Sequence, residues 1–234
     1  MARKYNDFSG MLLVDKPSGI TSFKIVSFIR HSLQVKKAGH CGTLDPLATG
    51  LLIVLVGKST KQQEVFMKQD KVYKAALKLG ITTDTGDTDG AVTASNKADV
   101  TIEQVKAAAK KFVGIISQTP PMYSAIKQNG KRLYELARTG ITVERKSRQI
   151  NIKSIDVLSC GEGIAEIRVD CSSGTYIRVL AEDIGRELGC GAAISALRRE
   201  SIGSFSVENA VSYEDENLAD KIEGLSPHII NGTK

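Results

Sequence analysis

An α+β fold with a mixed central sheet is the class that this 234-residue chain predicts. Apolar runs of strand length and apolar residues at helical spacing are interspersed. They lack the strict strand–helix–strand alternation of a doubly wound sheet or a TIM barrel. Hydrophobic residues make up 41% of the chain, enough for a substantial core. There is no internal repeat and no low-complexity linker, so the length fits one large domain, or one with an inserted or appended piece.

The elements follow in order. Residues 11–14 are a short apolar strand stopped by Asp15-Lys16-Pro17-Ser18-Gly19, a turn signal. Thr21-Ser22 caps a helix over 23–33, in which Ile25, Val26, Ile29 and Leu33 recur at helical spacing. Residues 51–56 form an apolar strand ended by Gly57, and Ser59-Thr60 starts a helix to about Lys68. Residues 71–79 alternate as a strand, and 82–90, rich in Thr, Asp and Gly, form a loop. Thr101 with Gln104 makes a capping box for a helix to about Val113, and Gln118-Thr119-Pro120-Pro121 breaks regular structure. A short helix over 132–138 ends at Gly140. Strands 151–158 and 166–171 join through a Gly-containing turn, and 176–188 is a helix ended by Gly189. The segment 192–204 contains Ile194, Leu197 and Arg198-Arg199.

Composition narrows the function. No run of about 18 apolar residues is present, so no membrane helix is expected. The start of the chain lacks the apolar stretch of a signal peptide, which points to the cytoplasm. Cys41, Cys160, Cys171 and Cys190 form no C-x-x-C pair and are expected as free thiols. With His31, His40 and His228 they complete no zinc spacing, and neither a phosphate loop nor a dinucleotide fingerprint occurs. No metal and no cofactor are therefore expected. The chain carries a net charge of +6, and residues 124–153 alone hold eight basic and two acidic side chains. Such a concentration suits a polyanion, with nucleic acid the natural candidate. Residues 213–234 are instead acidic, with five acidic and two basic residues.

The stretch Gly39-His40-Cys41-Gly42-Thr43-Leu44-Asp45-Pro46-Leu47-Ala48-Thr49-Gly50 is the strongest candidate site. Its glycines permit tight turns and close backbone approach, and Pro46 removes a donor just after the acid. A loop of this kind presents Asp45 to a ligand better than it packs a core.

Several stretches in the same order resemble one family. They are Lys16-Pro17-x-Gly19-x-Thr21-Ser22, then the Asp45 loop, then Lys71-x-Tyr73-x-Ala75-x-x-x-Leu79-Gly80. Gln118-x-Pro120-Pro121-x-Tyr123-Ser124-Ala125-x-Lys127 follows. The set closes with Cys171-x-x-Gly174-Thr175-Tyr176-Ile177-Arg178-x-Leu180-x-x-Asp183-x-Gly185 and Leu197-Arg198-Arg199. Over roughly residues 9–205 the chain resembles the bacterial tRNA pseudouridine-55 synthases. The resemblance implies a pseudouridine synthase fold, with a mostly antiparallel mixed sheet flanked by helices. It also implies isomerisation of a T-loop uridine to pseudouridine, without cofactor or metal.

The resemblance further implies roles. Asp45 is the essential carboxylate; attack on the base at C6, attack on the sugar at C1′ and assistance in losing a C2′ proton are all open to it. Arg178 pairs with that carboxylate, and Tyr73 stacks on the flipped uracil and can relay a proton. Leu197 packs on the base from the other side, and Tyr176 is a wall of the site. His40 fills the space that the flipped base leaves. Asp87 contacts RNA, Lys16 and Pro17 support the catalytic loop from behind, and Lys127 and Arg138 belong to the RNA-binding set. Residues 124–153 correspond to a basic thumb insertion that orders on RNA, with affinity that falls as salt rises.

The expected organisation is a catalytic domain over 1–212 containing that thumb, then a short acidic tail over 213–234. About 30 residues follow Phe205, too few for the small C-terminal RNA-binding domain of many family members. The expected partner is the tRNA T-stem-loop, met by a monomer with no membrane contact. Two other readings share the same features: a chaperone that grips and opens the T-loop, and a guide-RNA-dependent pseudouridine synthase.

Overall fold

The computed structural model describes residues 5–128 and 130–213. The acidic stretch expected over 213–234 therefore lies, beyond Tyr213, outside the described residues. In chain order the elements begin β1 (Gly10–Lys16), α1 (Ser22–Ser32), β2 (Ala38–His40) and β3 (Thr49–Val56). A 3₁₀ turn (Gly57–Gln62) leads into α2 (Gln63–Met67) and β4 (Lys71–Leu79). Next come β5 (Ile81–Thr83), β6 (Val92–Ser95), α3 (Ile102–Lys110) and β7 (Gly114–Gln118). They continue with β8 (Lys127–Gln128), β9 (Lys131–Arg132), α4 (Leu133–Arg138), β10 (Arg148–Gly161), β11 (Ile164–Cys171) and α5 (Ile177–Glu187). The last are β12 (Ala192–Ile202), β13 (Phe205–Ser206), a 3₁₀ turn (Val207–Asn209) and β14 (Val211–Ser212). The chain divides into two compact units, one up to Lys71 and again from Arg198, the other Val72–Leu197.

In the first unit the strand order is β14-β1-β3-β12, with β2 on β3 and β13 on β12. β1 runs antiparallel to β3, whereas β12 is parallel to β3. β3 is almost wholly apolar because both its faces are covered. Leu52, Val54 and Val56 pack with Leu12, Val14 and the Ile25–Ile29 face of α1. Leu51, Ile53 and Leu55 pack with Cys41 and Ile202 on the other side. Burying each such side chain contributes about 1.5–3 kcal/mol. Thr21 caps α1 by accepting from the Lys24 N–H, and Arg30 and His31 occupy its last turn, where the helix dipole favours cations. Alternation along β1 buries Leu12, Val14 and, at its end, Lys16.

In the second unit the order is β12-β4-β11-β10-β7, with β10 antiparallel to both β11 and β7. β4 buries Lys71, Tyr73, Ala75, Leu77 and Leu79 in strict alternation. β11 does the same with Ala165, Ile167, Val169 and Cys171. α5 buries Ile177, Arg178, Leu180, Ala181, Ile184 and Gly185. Thr101 and Gln104 form the expected capping box of α3. The sheet is mixed and mostly antiparallel, and helices accompany it, as an α+β fold requires.

Some elements differ from the sequence expectation. The segment 82–90 is not all loop: Thr82 and Thr83 pair with Ala94 and Val92 in a small hairpin. Residues 57–62 wind as a 3₁₀ turn before the short α2, because Gly57 and a polar stretch with no buried side chain give no apolar face to hold a longer helix. β7 and β2 are additional short strands, and residues 192–202 are one continuous strand. All four cysteines are free, with Cys41, Cys171 and Cys190 buried.

Candidate active site

Asp45 lies, half-buried, in the loop that leaves β2 at His40 and returns into β3 at Thr49. Hydrogen bonds hold that loop at His40 and from Leu44 to Ala48. The Ser22 hydroxyl accepts from the Leu44 N–H at 2.9 Å and donates to the Leu44 carbonyl at 3.0 Å. Ser18 donates to the Leu47 carbonyl at 3.1 Å, and the Gly19 N–H to the Pro46 carbonyl at 2.9 Å. The Ala48 N–H closes a turn onto the Asp45 carbonyl at 3.1 Å. The Gln63 amide donates to the His40 carbonyl at 2.8 Å, fixing the start of the loop.

Two buried cations hold the loop from inside. Lys16 is fully buried, and its ammonium donates to the carbonyls of Pro17 (2.9 Å), Pro46 (3.1 Å) and Ala48 (2.5 Å). Burial pushes its pKa down to about 8; the negative charge of Asp45 opposes the fall and the Arg199 guanidinium adds to it. Arg199 of β12 is also buried, with Nε donating to the Leu51 carbonyl at 2.7 Å and Nη2 to the Gly42 carbonyl at 3.1 Å. It thus grips the outgoing and the returning arm together. The backbone of Arg199 comes so close to Gly50 that a Cβ there would stand 2.8 Å from the Arg199 nitrogen, and Gly50 has φ +98°. Beside it, Arg198 points the other way and makes a bidentate pair with Asp15 at 3.0 and 2.7 Å. Cys41 is buried in the same loop, and burial pushes its thiol up to about 12 against the opposing charges of Arg199 and Lys71.

In the second unit, Arg178 is buried in the first turn of α5. Its guanidinium donates to the Thr85 carbonyl at 2.7 Å and the Tyr123 carbonyl at 2.6 Å, and lies 3.7 Å from the Asp87 carboxylate. Asp87, also buried, accepts from the Thr85 hydroxyl at 2.7 Å and the Asp89 N–H at 3.3 Å. Glu182, one turn along α5, has its carboxyl pKa raised, first by burial and then by Asp183, with Arg178 opposing. Tyr73 and Leu197 are buried in β4 and β12. Tyr176 is the N-cap of α5 and lies under the Arg148 guanidinium, 5.0 Å from its ring centroid.

The basic insertion contains the β8–β9 hairpin and α4. Lys127 and Arg138 are exposed there, and Arg132 and Arg138 both flank the Tyr134 ring, at 5.9 and 5.6 Å. The structure thus joins Lys16 to the Asp45 loop and Asp87 to Arg178. The framing role of Arg199 was not among the expected ones. Its sequence signal is its place in the family-like stretch Leu197-Arg198-Arg199, which does not say what the side chain holds.

A family model described as "TruB family pseudouridylate synthase (N terminal domain)" matches residues 30–177. The chain belongs to this family. A second model, "tRNA pseudouridylate synthase B C-terminal domain", matches residues 178–223. A protein named tRNA pseudouridine synthase B from Endomicrobium trichonymphae is 53% identical over 223 residues, covering 95% of this chain and 97% of that protein. One of the same name from Dechloromonas aromatica is 48% identical and covers 96% and 76%. Among solved structures, a chain of a Cbf5-Nop10-Gar1 complex superposes with a TM-score of 0.73 at 31% identity. That match covers 95% of this chain but 56% of the solved one. The pseudouridylate synthase fold and its enzyme class thus apply to this TruB family member.

Proposed function

We propose that this protein is a tRNA pseudouridine synthase that isomerises a T-loop uridine, with Asp45 as the essential carboxylate. The observation that carries the reading is the 53% identity along nearly the full length of a relative bearing that name. The loop geometry supports it: a carboxylate-bearing turn held by two buried cations and five neutral donors is rigid enough to position an acid against a substrate.

In the reaction the bond between N1 and C1′ breaks, the uracil turns, and a bond forms between C5 and C1′. N1 ends with a proton and C5 loses one, so atoms and electrons balance without a co-reactant. Asp45 acts on the base or the sugar. Tyr73 stacks on the base and can relay the proton, Leu197 and Tyr176 bound it, and Arg178 is the cation the carboxylate chemistry uses. His40 replaces the extracted base, whose unstacking costs a few kcal/mol. Asp87 holds Arg178 and Lys16 holds the loop. Lys127 and Arg138 contact phosphates. The protein works as a monomer in the cytoplasm.

The test is tritium release from C5-labelled uridine in a minimal T-arm stem-loop with the purified chain alone. Asp45→Asn should abolish release and leave RNA binding in place. Full activity in Asp45→Asn refutes the catalytic role, and a requirement for an added guide RNA refutes the stand-alone reading.

A further inference from the structure

The two ends of the basic insertion meet on Tyr176. The chain that carries the basic residues of 124–153 leaves β7 at Gln118 and enters β10 at Arg148, and these two residues are direct partners in register. Just beyond them the Thr119 and Ser147 hydroxyls are 2.7 Å apart, so the neck is closed. Gln118 holds the Tyr176 peptide: its amide donates to the Tyr176 carbonyl at 3.0 Å and its oxygen accepts from the Tyr176 N–H at 2.8 Å. Arg148 holds the ring, stacked at 5.0 Å, while its Nη2 donates to the Gly174 carbonyl. A Cβ at Gly174, where φ is +85°, would stand 3.2 Å from the guanidinium carbon. A side chain there would be strained by that φ and would crowd the stacked guanidinium. Tyr176 occupies the N-cap position of α5, and Arg178 follows two residues later.

We propose that Arg148 is a positioning residue for pseudouridine formation, stacking on Tyr176 and, with Gln118, tying the root of the RNA-gripping insertion to the wall of the base site. The inference rests on the reading above, in which Tyr176 lines that site. RNA held by the insertion then sets the geometry of Tyr176 and of the first turn of α5, and Arg148 acts without touching the reacting atoms. A guanidinium suits the task because it offers a flat face to the ring and a fork of N–H donors to a carbonyl, which an ammonium does not.

The experiment measures single-turnover pseudouridine formation and dissociation constants on a T-arm stem-loop, for the full chain and for Arg148→Met, Arg148→Lys, Tyr176→Leu and Arg148→Met/Tyr176→Leu. Arg148→Met should lower the single-turnover rate roughly 10- to 100-fold, the scale of a misplacement near 1 Å, and weaken binding less than about threefold. Arg148→Lys should lose as much. The double variant should be no slower than Tyr176→Leu, because both changes remove one interaction. A full rate in Arg148→Lys, additive losses, or a loss confined to binding would each overturn the proposal. A direct check uses no turnover: Arg148→Met should shift the ring resonances of Tyr176, and unchanged resonances refute the stack. An inactive wild type with a shifted ring refutes the functional reading while keeping the contact.

Discussion

Replacing Lys16 by methionine tests the buried frame of the Asp45 loop. The ammonium makes three hydrogen bonds to carbonyls, two of them in the loop. Charge-assisted bonds of this kind contribute about 1.5–3 kcal/mol each. Against them stands the desolvation that lowers the pKa from 10.5 to about 8. That shift corresponds to about 3 kcal/mol against the charged form. The net loss in Lys16→Met near pH 7 should be about 2–4 kcal/mol, since the Ala48 carbonyl loses its ammonium donor and the Pro46 carbonyl keeps only the Gly19 N–H. The pH dependence separates this from a packing defect. Between pH about 8 and 10.5 the unfolded chain binds a proton at Lys16 that the folded chain does not. Stability therefore rises with pH in that window for the wild type, by about 3 kcal/mol at most, and Lys16→Met lacks this gain. Urea titrations of both proteins from pH 7.5 to 10.5, at matched ionic strength, give the difference directly. A stability difference that stays flat or narrows as pH rises refutes the reasoning.

Gly50→Ala should cost more than the gain of about 1 kcal/mol that a Gly→Ala change gives at compatible sites, because its φ is +98° and the Arg199 backbone occupies the space. We expect a loss of about 3 kcal/mol or failure to fold, and a denaturation midpoint equal to the wild type refutes the close approach. Cys41, buried with its thiol pushed up to about 12, should resist maleimide at pH 8 in the native protein, whereas half-buried Cys160 should be modified first. Mass mapping of the modified cysteines checks the order, and early labelling of Cys41 refutes the packed loop.

Much of the fold was legible because the pattern was local. The alternation in residues 71–79 matches β4 to the residue, and the capping box at Thr101 places α3. β7 was hidden because it is a five-residue strand between Gly114 and a proline pair, too short to show a period. β12 was hidden by its arginines. Arg198 and Arg199 point to opposite faces, one to Asp15 and one under the loop, and a buried arginine reads as polar until its carbonyl partners are known. At the candidate site the glycines around Asp45 announced a loop. Of the cations that shape it, Lys16 was legible only through the family resemblance, and Arg199 was not legible at all, since it bonds to backbone groups and leaves no complementary acid in the sequence.

The Arg199 clamp has a consequence for the order of synthesis. Its bonds reach back 148 residues to Leu51 and 157 residues to Gly42. At about 5–20 residues per second, the ribosome leaves the Asp45 loop without this clasp for roughly 7–30 seconds after the loop itself emerges. The nascent chain can form β1, α1 and β3 from neighbouring sequence, yet its acid-bearing turn waits for β12. The loop is thus among the last parts of the molecule to be completed, and a chain cut short before residue 199 carries the aspartate with Lys16 behind it but without the arginine that joins the loop's two arms.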